Sequence, residues 1–97
     1  MVDGTAPVLP AMVQVAPDVV WQEVEGQVVL LNLKAGRYWS LDPVGSRMWQ
    51  VLQDHPEVAV ASEDLLAVYD VEETTLRRDL ARLIGGLVDA GLLSATY

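Results

Sequence analysis

No cysteine occurs anywhere in the 97 residues. That excludes disulfides, thiolate nucleophiles and cysteine-based zinc sites at once. Histidine is nearly absent as well. His55 stands alone in the run Gln53-Asp54-His55-Pro56, where a first helix should stop. With no second histidine to share a metal, it reads as a solvated helix-end residue, a place where positive charge suits the dipole. Basic residues are scarce, six against 14 acidic ones, for a net charge of −8. A phosphate backbone requires a basic footprint, so nucleic acid is not the expected partner. No apolar run approaches the roughly 18 residues of a membrane span. The opening MVDGTAPVLP has an early aspartate, no basic residue and too little apolar length for a secretory signal. These absences predict a cytoplasmic protein that binds neither membranes nor nucleic acid.

What is present is apolar and compact in scale. The chain is 52% hydrophobic with a mean hydropathy of +0.26, which argues against disorder. Its length suits one domain with a single core and is too short for an elaborate active site. Residues 1–11 read as a flexible arm and residues 12–97 as the domain.

Residues 19–24 (VVWQEV) and 27–33 (QVVLLNL) are β-branched and aliphatic, and Glu25-Gly26 between them fits a tight hairpin. After the turn Lys34-Ala35-Gly36, residues 37–41 add a third strand. Residues 12–15 extend the first strand or pair elsewhere. From Asp42 the period changes to that of a helix, with Asp42-Pro43 as a cap and first-turn proline. Val44, Met48, Val51 and Leu52 form one face, Trp49 lies beside them, and Pro56 ends the helix. Ser62 is a plausible cap for a short second helix carrying Leu65, Leu66 and Tyr69, with residues 58–61 open between linker and helical turn. The third helix is clearest: Leu76, Leu80, Leu83 and Leu87 recur at four, three and four, Ile84 and Val88 widen the stripe, and Gly91 is a stop. Gly85-Gly86 inside it departs from propensity, each glycine costing about 1 kcal/mol relative to alanine. Tight packing of helix on sheet is the favoured explanation, close approach of a ligand the other. The expected class is α+β: a three-stranded antiparallel sheet followed by three helices, winged helix-turn-helix-like.

No catalytic constellation is visible. Ser40, Ser46, Ser62 and Ser94 have no base partner and none lies in a G-x-S-x-G turn. There is no GxGxxG and no phosphate loop. Glu63-Asp64 and Glu72-Glu73 fall at helix starts, where carboxylates complement the dipole. The expectation is a protein that is not an enzyme, with no cofactor and no metal.

The short aromatic strand at residues 37–41 carries more information. It ends a meander, so it is a sheet edge, and edges can pair with another chain. Pleating puts Arg37, Trp39 and Leu41 on one face and Tyr38 and Ser40 on the other, with Trp39 inward. Lys34 and Arg37 flank this strand, Arg47 is on the first helix, and Arg77, Arg78 and Arg82 share the third. Converging, they would make one positive rim; dispersed, they are solubilising charges. A winged-helix DNA-binding reading would use the third-helix arginines, but Glu72, Glu73, Asp79 and Asp89 on the same helix oppose it.

GRYWSLDPVGSRMW (36–49), VVLLN (28–32) and TTLRRDLARLIGGLVDAGLL (74–93) resemble the PqqD-like proteins, the recognition elements of ribosomally made, post-translationally modified peptide (RiPP) pathways. The resemblance covers roughly residues 18–93. Within the family the GRYW-x-L-x-P-x-G run is most similar to the stand-alone PqqD-like proteins of lasso peptide biosynthesis. PqqD of quinone synthesis usually has an Ala-Pro-Glu-Gly-like turn where this chain has residues 32–36. A recognition element of such another pathway stays as the alternative. The resemblance implies a winged-helix-like adaptor that binds a precursor's leader peptide as an added strand. It would present the leader to a transglutaminase-like cysteine leader peptidase, with an asparagine-synthetase-like cyclase as a further partner. By position it implies a peptide-binding groove formed by Arg37, Tyr38, Trp39, Ser40, Leu41, Leu76, Arg77, Asp79, Leu80, Leu83 and Ile84.

Overall fold

The computed structural model describes residues 8–97. Runs of β-branched, aliphatic and aromatic residues give three consecutive strands, β2 (Val19–Val24), β3 (Gln27–Asn32) and β4 (Arg37–Ser40), paired antiparallel in that order. Glu25 (φ 52°) and Gly26 (φ 82°) both adopt the left-handed conformation that a two-residue hairpin turn demands. The next turn is held by Asn32, whose Oδ1 accepts the N–H groups of Lys34 and Ala35, both at 3.0 Å. This is the α+β arrangement expected, with three helices following the sheet.

Helix α1 (Pro43–Asp54) begins as the residues predict: Asp42 Oδ1 accepts the Gly45 N–H at 2.7 Å, and Pro43 occupies the first turn. Its inner face is not the expected one throughout. Val44 is exposed, whereas Trp49 is fully buried and meets Trp21 edge-on, with ring centroids 5.9 Å apart. A buried hydroxyl joins this helix to the sheet. Ser46 Oγ accepts the Val28 N–H at 2.7 Å and donates to the Leu41 carbonyl at 3.2 Å.

Helix α2 (Val58–Val68) starts four residues before Ser62, which is buried within it and caps nothing. The backbone carbonyl of Glu57 accepts the N–H groups of Val60 and Ala61 instead, at 3.1 Å each. Val58, Ala61 and Leu65 are completely buried at helical spacing, and that burial outweighs the modest helix propensity of β-branched valine.

Helix α3 (Glu73–Asp89) ends at Gly91 (φ 77°), after which the Leu92 N–H folds back to the Leu87 carbonyl at 2.8 Å. Residues 93–96 then form a strand that the periodicity did not announce. β5 (Leu93–Thr96) pairs antiparallel with β1 (Met12–Val15) in a separate two-stranded ladder. β1 is therefore no extension of β2. Residues 1–7 of the expected N-terminal arm lie outside the described residues. Of its last positions, Leu9 packs on the core, Pro10 is buried, and the Ala11 N–H donates to the Thr96 carbonyl at 2.7 Å.

The core is one cluster drawn from every element but β2 and β4, with Trp49, Leu30, Leu52, Leu65, Leu80, Ile84 and Leu92 at its centre. Gly85 and Gly86 take no part in it. Both are exposed, and a β-carbon added at either would meet no atom within 4 Å, so tight packing of α3 on the sheet does not explain them. No helix among the described residues is long and apolar enough to cross a membrane.

Candidate functional site

β4 has a partner on one side only. Antiparallel ladders alternate between pairs that exchange hydrogen bonds and pairs that do not. The Leu41 N–H donates to the Val28 carbonyl at 2.9 Å, which fixes the phase: Trp39 and Arg37 bond toward β3, and the main-chain groups of Tyr38 and Ser40 face the open side. The side chains follow the pleat. Trp39 stands opposite buried Leu30 and is half-buried on the inner face; Tyr38 stands opposite Leu31 on the outer face and is 72% exposed. The Arg37 guanidinium lies 5.4 Å from the Trp39 ring centroid, and Leu41 is buried where strand passes into helix.

α3 packs chiefly against α2 and β5 and leaves a gap toward β4. Two points locate it. A β-carbon placed at Gly45 would lie 3.7 Å from Leu83 Cδ1, so α3 approaches the α1 start just past the end of β4. One placed at Gly91 would lie 4.0 Å from the side-chain nitrogen of Asn32, the register partner of Arg37 at the start of β4. Leu83 thus lies near the α1 end of the β4–α1 junction, and Gly91, just past α3, lies near the start of β4. The α1 end of this gap opens into a cavity of about 440 Å³ lined by Asp42, Val44, Gly45, Met48, Asp79, Arg82 and Leu83. Its floor is apolar, from Met48, Leu83 and Val44, and its rim carries two carboxylates and one guanidinium.

Of the third-helix residues expected in a groove, the structure brings Asp79 and Leu83 there. Leu76, Leu80 and Ile84 are at most 3% exposed and face the core, so they offer no surface. Arg77 lies on the far flank of the helix. It pairs at 3.8 Å with Glu73 one turn back, and it stands about 140° around the axis from Arg82, five residues on. The basic residues do not converge on one rim. Arg47 lines a different surface groove between α1 and α2 with Asp54 and Asp64, while Lys34 and Arg37 stay at the start of β4. His55 pairs with Asp64 at 3.0 Å, far from the β4 edge in sequence and on the opposite end of α1.

Asp42, Val44, Gly45 and Met48 line the cavity without any signal in the sequence, and Arg82, a candidate rim cation there, is the one arginine that reaches it. The spacing of Asp79, Arg82, Leu83 and Gly86 marks them as one flank of a helix, but only the position of α1 says which flank meets the cleft.

A free sheet edge is a place where a further strand can pair, and the α3 cleft lies just past the end of β4. The family model for coenzyme PQQ synthesis protein D (PqqD) matches residues 27–93, and the chain belongs to that family. Two solved structures share its fold. TbiB1 in complex with the TbiA(beta) leader peptide superposes with a TM-score of 0.80 at 32% identity, over 87% of this chain and 98% of that chain. A lasso peptide synthetase B1 complexed with the leader peptide gives 0.78 at 28% identity, over 87% and 99%. No curated protein sequence matches the chain.

Proposed function

We propose that this chain is a non-catalytic adaptor that binds the leader of a ribosomally made precursor peptide by strand addition and presents it to a leader peptidase in lasso-type maturation. The observation that carries this reading is the open side of β4, which turns out the main-chain groups of Tyr38 and Ser40 and ends two residues before Asp42 of the α3 cleft. Main-chain bonds would supply affinity and the cleft would sort side chains. Both structural neighbours are complexes with leader peptides, which supports a leader peptide as the guest here. The peptidase would be a transglutaminase-like cysteine enzyme acting in the cytoplasm, with an asparagine-synthetase-like cyclase closing the ring afterwards. An uncovered apolar sheet face supports presentation. Val20, Val24, Leu31 and Tyr38 are exposed on it and continuous with β4, so a second protein seated there would touch adaptor and leader together.

The test is titration with synthetic lasso-precursor leader peptides, the TbiA(beta) leader of the structural neighbour among them. Ser40→Pro removes an N–H from the open side of β4, a substitution edge strands can accommodate. Affinity should fall at least about tenfold, the order of one lost main-chain bond with its strain. Glu23→Pro makes the same change on the open side of β2 and should leave affinity within about twofold of wild type. A folded Ser40→Pro protein that binds like wild type would remove β4 as the binding edge.

A further inference from the structure

Neither the core nor helix propensity explains Gly85 or Gly86, and of the two Gly86 is the one on the cleft side of α3. It lies one turn beyond Leu83 and Arg82, on the same flank as those cleft residues and Asp79. That flank continues between the two fixed points already described, Leu83 against Gly45 and Gly91 against Asn32. A β-carbon at Gly86 would meet nothing within 4 Å, and the residue is exposed. Helix propensity there favours alanine and most other residues over glycine. The neighbouring Gly85 shares the exposure and the empty surroundings, but at about 100° further round the helix it faces solvent on the side away from the core.

We infer that Gly86 is a specificity-determining residue of the cleft: its missing side chain keeps the α3 wall bare opposite β4, so that a strand added to β4 can lie close to the helix backbone. This rests on the strand-addition reading above and assigns a further residue to it. Arg37 and Trp39 share the inward face of β4 with their side chains stacked, so on this reading the inward side chains of the guest would meet an aromatic ring on the strand and bare backbone on the helix. Any side chain at position 86 would cover that backbone, whereas one at position 85 would not.

Four variants separate the roles: Gly86→Ala, Gly86→Leu, Gly85→Ala and Gly85→Leu, each measured for melting temperature and for affinity toward the same synthetic leader peptides. All four should fold, because both places are exposed and a β-carbon at either meets no atom within 4 Å. Both alanine variants should melt higher by about 4–8 °C, since helix propensity rises without any lost contact. Gly86→Leu should weaken leader binding at least about tenfold, Gly86→Ala less, and Gly85→Leu not measurably, because only bulk on the cleft flank overpacks the bound state. Wild-type affinity in Gly86→Leu overturns the inference, as does an equal loss in Gly85→Leu. If the wild-type chain binds the leader, Ser40→Pro abolishes binding and Gly86→Leu does not disturb it, this inference alone falls. If the wild-type chain fails to bind, it falls together with the proposed function.

Discussion

The sheet has two open edges, and they differ in everything except their backbone. β4 turns the main-chain groups of Tyr38 and Ser40 outward. It is flanked by Lys34 and Arg37 and ends two residues before Asp42 of the α3 cleft. β2 is longer and turns out the groups of Val19, Trp21 and Glu23, the phase being set by the Leu33 N–H bonded to the Asp18 carbonyl at 2.7 Å. Asp18 and Glu25 bracket it, both at positive φ. Glu23 puts a carboxylate on the inward face, where the Gln50 side chain donates to it at 2.7 Å. Inward-pointing charge and a distorted strand end are devices by which proteins discourage pairing at an edge. The lesson is that an open edge is common property of any sheet, and what would make one a receptor is its surroundings: acidic side chains and a hollow on the outer sheet face at β2, Lys34, Arg37 and the α3 cleft near β4.

The comparison breaks most severely if the support beneath β4 is removed. Ser46→Ala leaves the buried Val28 N–H without its acceptor and frees the Leu41 carbonyl where β4 enters α1. Stranding a buried donor costs about 1–3 kcal/mol, and a domain of this size loses about 4–8 °C of melting temperature per kcal/mol. Calorimetry on Ser46→Ala should show that drop. A melting temperature equal to wild type would mean that water replaces the hydroxyl and that Ser46 holds nothing.

A smaller effect should follow from exchanging the charge of the edges. Lys34→Glu with Arg37→Glu gives β4 the sign of β2 and removes the cation stacked on Trp39, a contact worth about 0.5–1 kcal/mol at an exposed site. Exposed charges chiefly alter association rates. The double variant should bind leader about three- to tenfold more weakly at low salt, with the difference shrinking as ionic strength rises. A loss independent of salt would assign these residues to packing rather than to steering.

Much of this architecture is legible along the chain, and the failures have physical causes. The meander, the Asp42 cap and the Gly91 stop follow from local chemistry: β-branched runs split by turn residues, an Asx acceptor, a left-handed glycine. β5 escaped because four residues, Leu93–Thr96, are too few to show a period, and their partner β1 lies at the other end of the sequence. The start of α2 escaped because Val58 and Val60 favour strand locally and only burial makes them helical. The cleft was half readable. Asp79 and Leu83 line it, but a leucine stripe does not reveal that Leu76, Leu80 and Ile84 are wholly consumed by the core. Nor does an arginine triplet reveal that Arg77 and Arg82 look in different directions.

The pairing of β1 with β5 joins residues about 80 positions apart, so it closes nearly the whole chain into a loop. Such a contact is costly in chain entropy and forms late, whereas β2, β3 and β4 are neighbours in sequence and can assemble early. The ladder therefore behaves as a clasp. Hydrogen exchange should find the Val13 and Ala16 amides, bonded to the Pro56 and Leu92 carbonyls, opening more often than the Leu41 amide. Equal protection would show that the domain opens only as a whole. An unfastened clasp leaves the meander paired, so the edge that would receive a guest strand is insulated from fraying at the ends of the chain.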